Sequence, residues 1–242
     1  MGMNNGSKIL GVRIDNFSVE EIKNEIFHIL DNSPRQKCVT TLNPEIILKA
    51  HRDKNYRDVL NCADLNICDG FGLKLISMLK NKPIKARFAG ADLADFLLET
   101  AGQRRLKILV IAAKDSLSTP EEIERAITDK YPNLSVKSKY FEGSQDFFEN
   151  AIIREAEIVF VNFGVPKQEK FILENRAKFP KAKILVGVGG AFDFLTGRFK
   201  RAPRILRDTG LEWLWRLLQE PKRIRRICRA VIVFPVLAFI KK

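Results

Sequence analysis

The chain has 242 residues, 45% of them hydrophobic and 29% charged. That is enough for one large or two small folded domains, and it excludes a short peptide, a solenoid array and a mainly disordered chain. The formal charge of +13 is uneven: from Arg198 onward thirteen Lys and Arg face three acids (Asp208, Glu212, Glu220), leaving the body nearly neutral and pointing to an anionic partner met at one end.

Short apolar runs alternate with helical patterns, which predicts parallel strands joined by crossover helices. Ser18 and Glu21 form a capping box ahead of a stripe of Val19, Ile22, Ile26, Ile29 and Leu30. A strand is expected over Lys37 to Thr41, ending at Asn43-Pro44, a good N-cap followed by a good first helical residue. A second helical stretch runs through Tyr56, Val59 and Leu60, and a short strand over Leu65 to Cys68 ends at Asp69-Gly-Phe-Gly72. There the two glycines permit positive φ or close approach by a ligand. A helix follows Arg87-Phe-Ala-Gly-Ala-Asp92 and runs to about Gln103, and Thr119-Pro-Glu-Glu122 starts another. Three further strands are expected over Lys107 to Ala112, Ile158 to Phe163 and Ile184 to Val188, with Gly164-Val-Pro-Lys-Gln-Glu169 as a strand-to-helix turn. The fold class is therefore α/β: a Rossmann-like, mostly parallel sheet with flanking helices over residues 1–199, carrying a basic amphipathic C-terminal appendage over residues 200–242.

Ligands of open parallel sheets bind beyond the carboxyl ends of the strands. Three polar clusters fall at such exits: Thr41 with Asn43, Asp69 to Gly72, and Gly164 to Glu169. Each also has an ordinary reading as turn or cap chemistry. No dinucleotide fingerprint, P-loop or Ser nucleophile elbow follows any strand, and no D-x-D pair is present to hold a divalent ion against a diphosphate. His28 and His51 are far apart and lack cysteine neighbours at ligand spacing, so no metal site is expected. The cysteines Cys38, Cys62, Cys68 and Cys228 form no C-x-x-C pair, which fits a reduced cytosolic compartment. The start carries no apolar run of a secretory signal, and Gly6 stands where myristoylation needs Ser or Thr. Arginine is the best side chain for neutralising a phosphate without a metal, and candidates are Arg87, Arg201, Arg216, Arg223 and Arg226. A solvated basic helix face is their alternative reading.

Seven blocks taken in order resemble those of the WecG/TagA/CpsF glycosyltransferase family: Thr41-Leu-Asn-Pro-Glu45, Asp69-Gly-Phe-Gly72, Arg87 to Asp92, Gly164 to Glu169, Gly187-Val-Gly-Gly-Ala-Phe-Asp193, Lys200-Arg-Ala-Pro203, and Leu211-Glu-Trp213 through Arg216 to Pro221. The resemblance implies an enzyme on the cytosolic face of the membrane that moves a sugar, typically N-acetylmannosamine or its uronic acid. The donor would be a UDP-sugar and the acceptor a polyprenyl-diphosphate-linked sugar, with inversion at the anomeric carbon. It implies Asp69 as general base, Thr41 and Asn43 as substrate-positioning groups, Arg87 and Gln168 as pocket residues, and Arg216, Arg223 and Arg226 as diphosphate contacts. Two positions depart from the family pattern, Ala112 and Lys139, where glycine is usual; both bear on the donor sugar. Single displacement requires a carboxylate to take the acceptor proton, stabilisation of the leaving diphosphate and exclusion of water, which Asp69, the arginines and a closing C-terminal segment can supply without a cofactor or metal.

Other readings are a nucleic-acid-binding protein, based on charge alone, and a nucleotide-sugar epimerase, which the missing fingerprint disfavours. The tail interleaves its arginines with Val231, Ile232, Val233, Phe234, Leu237, Phe239 and Ile240, an apolar load that phosphate tracking does not need. Eleven residues from Ala230 to Ile240 are too few to span a bilayer, which takes about 20. Flanked by cations and interrupted by Pro235, the stretch suits an anchor on an anionic membrane surface, with packing on the core or on another subunit as the alternative. The expected location is peripheral, on the inner face of the cell membrane, and a homo-oligomer is left open.

Overall fold

The computed structural model describes residues 6–240. The Met1-Gly2 start and the terminal Lys241 and Lys242, used above for acylation and charge, lie outside the described residues. The chain opens with a hairpin, β1 (Ser7–Ile9) and β2 (Val12–Ile14), then α1 (Val19–Asn32), β3 (Lys37–Leu42), α2 (Pro44–Arg52), α3 (Lys54–Asn61) and β4 (Leu65–Cys68). It continues through α4 (Phe71–Leu79), α5 (Gly90–Arg104), β5 (Lys107–Ala112), α6 (Pro120–Lys130) and β6 (Ser135–Tyr140). After the short α7 (Asp146–Glu149) and α8 (Ala151–Glu155) come β7 (Ile158–Asn162), α9 (Lys167–Asn175), β8 (Ile184–Gly187) and α10 (Ala191–Leu195). Four helices close the chain: α11 (Arg204–Asp208), α12 (Glu212–Gln219), α13 (Ile224–Cys228) and α14 (Phe234–Ile240).

The main sheet has six parallel strands in the order β4-β3-β8-β7-β5-β6, so the α/β expectation holds. Alternate side chains of the strands enter opposite layers. Val39, Ile67, Val110, Phe160 and Val186 pack with α1, α5, α6 and α10 on one face. On the other, Leu109, Ile111, Val159 and Leu185 pack with α8 and α9, while Leu42 and Cys68 pack with the hairpin, α2, α3 and α4. The capping box expected at Ser18 forms, and the helix start expected at Thr119 carries a second one: Glu21 and Glu122 each return a carboxylate to the backbone of Ser18 and Thr119.

The hairpin, β6 and α4 are among the elements that the sequence did not announce, each for a physical reason. The hairpin turns at Leu10 and Gly11 with φ of 49° and 84°, and leucine is a poor signal for a left-handed turn. β6 pairs only with β5, and as an edge strand it carries Lys137 and Lys139 in place of an apolar run. α4 begins inside the block read as a turn, so Gly72 lies in its first turn.

The glycines at this exit also need a corrected explanation, because neither Gly70 nor Gly72 has a positive φ. A Cβ on Gly70 would lie 2.4 Å from Pro44 Cδ and 3.0 Å from Asn43 Cα. Gly70 is thus required by the close approach of the β3 and β4 exits to each other.

Pro235 does not interrupt the tail. The turn Arg229–Val233 between α13 and α14 widens to the i→i+5 pattern, with the Phe234 N–H donating to the Arg229 carbonyl, and the helical path continues to Ile240. A wide turn accommodates the residue that lacks an N–H.

Candidate active site at the carboxyl edge of the sheet

The exits of β4, β3, β8 and β7, four neighbours in the sheet, hold every body residue singled out for the site, except Arg87 on the loop before α5. Asp69 directly follows β4, and its N–H donates to the Leu42 carbonyl at 2.8 Å, which ties it to the end of β3. Its side chain remains one-quarter exposed. Burial pushes its carboxyl up to about 6; the Arg87 guanidinium and a hydrogen bond from the Gly90 N–H pull it down, while Glu212 and Asp92 raise it. The result is a carboxylate more basic than usual yet ionised at neutral pH, as a general base requires.

Thr41 is buried near the end of β3, and Gly90, the first residue of α5, lies between it and Asp69. A Cβ on Gly90 would sit 3.1 Å from Thr41 Oγ1 and 3.8 Å from Asp69 Oδ2. The hydroxyl and the carboxylate therefore flank one helix N-terminus, brought together by a residue without a side chain.

Asn43 caps α2, its Oδ1 accepting from the Ile46 N–H at 3.1 Å. The cap reading is what the geometry displays there. Gln168 is 3% exposed, and its Oε1 accepts from the Gly189 N–H at 3.0 Å while its Nε2 donates to Glu169 Oε1 at 2.8 Å. Glu169 in turn accepts from the Tyr56 hydroxyl at 3.0 Å. Burial pushes the Glu169 carboxyl and the Tyr56 phenol up. This chain of hydrogen bonds ties α3 and α9 to the glycine turn after β8, and it escaped the sequence reading because its members are 113 and 21 residues apart.

Arg87 bridges the body and the appendage. Its Nε donates to the Asp69 carbonyl, its Nη1 to the Arg207 carbonyl at 3.1 Å, and its Nη2 pairs with Glu212. Nearby, Asp92 of α5 pairs with Arg201 at 2.7 Å and Arg207 at 3.7 Å. Neither Glu212 nor Asp92 is given a role by the sequence blocks they stand in, because their arginine partners lie 125 and 109 to 115 residues away.

The remaining three arginines gather where the appendage crosses β8 and β3. Arg216 lies over the Phe194 ring, 5.3 Å from its centroid, and would stand 3.4 Å from a Cβ on Gly190. Arg216 and Arg223 share Glu220 at 3.4 and 2.7 Å, and Arg226 reaches Glu45, the second residue of α2, at 2.8 Å. Burial, then the charges of Arg216 and Arg226, lower the Arg223 guanidinium from its ordinary value. Burial raises the Glu45 carboxyl, but Arg226 and Lys49 together outweigh it and hold it below its ordinary value. Among the described residues no group of three or more His, Cys, Asp and Glu is placed to hold a metal ion.

The tail has two faces. Phe234 and Ala238 are fully buried with Leu42, Leu73 and Ile76, whereas Val231, Ile232, Val236, Phe239 and Ile240 are exposed. Phe234 packs over Gly72 of α4, and α4 itself leaves Phe71, Leu75, Met78 and Leu79 exposed. No helix among the described residues is long and apolar enough to cross a membrane.

Comparison with known proteins gives the chain's relatives. The sequence model described as the Glycosyl transferase WecG/TagA/CpsF family matches residues 7–242. A protein of Bacillus spizizenii is 36% identical over 192 residues, covering 78% of this chain and 74% of its own. One of Bacillus subtilis is 35% identical with the same coverage, and one of Staphylococcus aureus strain MRSA252 is 31% identical over 225 residues, 90% of this chain and 87% of its own. All three bear the name N-acetylglucosaminyldiphosphoundecaprenol N-acetyl-beta-D-mannosaminyltransferase.

Proposed function

The chain belongs to the WecG/TagA/CpsF family of glycosyl transferases, and from that premise we propose that it transfers N-acetylmannosamine from UDP to N-acetylglucosaminyl-diphospho-undecaprenol, inverting the anomeric carbon. It is a hexosyltransferase. The observation that carries the reading is the pairing, along one sheet edge, of a carboxylate with raised basicity and a cluster of three guanidinium groups.

In this reading Asp69 accepts the proton of the acceptor hydroxyl as its oxygen attacks the anomeric carbon, and the bond to the UDP oxygen breaks on the opposite face. Thr41, beside Asp69, orients the acceptor sugar. Asn43 and Gln168 act through the backbone they hold, Asn43 by fixing the start of α2 and Gln168 by fixing the Gly189-Gly190 turn. Arg216, Arg223 and Arg226 receive the diphosphate: three cations share two carboxylates, and anionic oxygens relieve the repulsion that lowers Arg223. Charge neutralisation by arginine makes the reaction metal-independent.

The lipid-linked acceptor brings the enzyme to the inner membrane face, where the exposed apolar face of residues 231–240 and that of α4 meet acyl chains and the arginines meet anionic headgroups. Purified enzyme should release UDP from UDP-N-acetylmannosamine only when the lipid-linked N-acetylglucosamine acceptor is added, and EDTA should leave the rate unchanged. Release that ignores the acceptor, or a rate abolished by EDTA and restored by Mg²⁺, would count against the reading.

A further inference from the structure

The appendage contributes one charged group that the diphosphate contacts leave unexplained. Glu212 opens α12, and its carboxylate is the partner of Arg87 at 2.5 Å, while the same guanidinium edge stays 4.0 Å from Asp69 Oδ1. The other nitrogens of Arg87 are committed to two main-chain carbonyls, those of Asp69 and Arg207. One edge remains, and two carboxylates compete for it.

We propose that Glu212 is a positioning residue that sets the basicity of Asp69, by drawing the Arg87 guanidinium onto itself and away from the Asp69 carboxylate. The proposal rests on the reading of Asp69 as the general base. A guanidinium in full contact with that carboxylate would hold its lone pair and leave a weak base. With Glu212 in place the cation stands off, close enough to keep the carboxylate ionised and too far to occupy it. Because Arg207 and Glu212 both belong to the appendage, seating of α11 and α12 and tuning of the base are one event. Electrostatics agrees in sign: Arg87 lowers the Asp69 carboxyl and Glu212 raises it.

The other charged groups of this corner are accounted for. Asp92 of α5 also raises Asp69, but is itself paired with Arg201 and Arg207. Lys74 of α4 acts on Cys68, beside Asp69. The Gly90 N–H donates to Asp69 whatever Glu212 does.

The test is the pH profile of kcat/KM between pH 5 and 9, with UDP-N-acetylmannosamine and the lipid-linked acceptor, for wild type, Glu212→Gln, Arg87→Gln and Asp69→Asn. The acidic limb should move down by about half to one unit in Glu212→Gln, and up by a similar amount in Arg87→Gln. A role for Glu212 confined to holding the fold would lower the rate and leave the limb in place. Should Glu212→Gln fail to fold, Glu212→Asp carries the test, with a limb displaced in the same direction by less. Unmoved limbs, or limbs moved the same way in both variants, together with an inactive Asp69→Asn, would overturn the proposal alone. An Asp69→Asn enzyme that kept the wild-type rate and limb would remove the base reading and the proposal with it.

Discussion

Asp69 occupies a position where proximity to two strand exits, a helix N-terminus and a guanidinium leaves a carboxylate partly exposed and more basic than usual. Asp69→Asn should lower kcat by about 10²–10⁴, the range expected for removing a general base. The same variant should be more stable than wild type at neutral pH. A carboxyl whose value rises on folding from 3.8 to about 6 destabilises the folded state, fully above pH 6 and not at all below the unfolded value. Removing the charge should therefore gain on the order of 1–2 kcal/mol at pH 7, about 2–4 °C in Tm per kcal/mol, and the gain should vanish by pH 3.5. Thermal melts of both proteins at the two pH values check the sign. Gly70 sets a companion expectation: Gly70→Ala drives a methyl into Pro44 and should cost about 1–3 kcal/mol in a urea titration while displacing Asp69 enough to lower the transfer rate.

At the scale of elements, the helical run from Ile224 to Ile240 has a buried and an exposed face that substitution can test separately. Phe234→Ala removes a ring from the core shared with α2 and α4 and should destabilise by about 3–5 kcal/mol. Phe239→Glu changes an exposed side chain, so the melting temperature should hold while binding to anionic vesicles weakens. Equal losses of stability in both variants would show that the outer face is also packed. Deleting the tail would not separate the two faces, since it strips the core as well. Arg226 separates stability from catalysis in another way. Its pair with Glu45 is half exposed and worth about 0–1 kcal/mol, so Arg226→Ala should barely move the melting temperature while raising KM for UDP-N-acetylmannosamine at least about tenfold. What little stability the pair supplies should be present above the ordinary carboxylate range and fade as pH falls through the lowered value of Glu45.

For the whole molecule, the proposed approach to a membrane rests on how charge and apolar surface are distributed. The basic C-terminal run crosses the carboxyl edge of the sheet, and the apolar faces of α4 and of residues 231–240 are exposed where these segments pack together. Met78→Glu combined with Ile232→Glu should reduce sedimentation with vesicles of anionic lipid at low salt and leave UDP release with a water-soluble acceptor analogue intact. Loss of both activities together would assign these faces to folding rather than to lipid.

The strand exits were legible in the sequence because apolar runs of four to six residues ending in Asn-Pro, Asp-Gly or Gly-x-Pro are local signals, and parallel strands place such ends on one edge. Capping boxes at Ser18 and Thr119 were equally local. Asp69 could be named because the family blocks keep their order along the chain, which needs no contact map. What the sequence left open was every relation between residues far apart: that Gly70 is small to admit Pro44, that Glu212 meets Arg87 across 125 residues, and that Phe234 turns inward while Phe239 turns out. These depend on which helix face the sheet already covers. Burial and the competition of two carboxylates for one guanidinium arise only once the chain has closed on itself, so only the tertiary structure decides them.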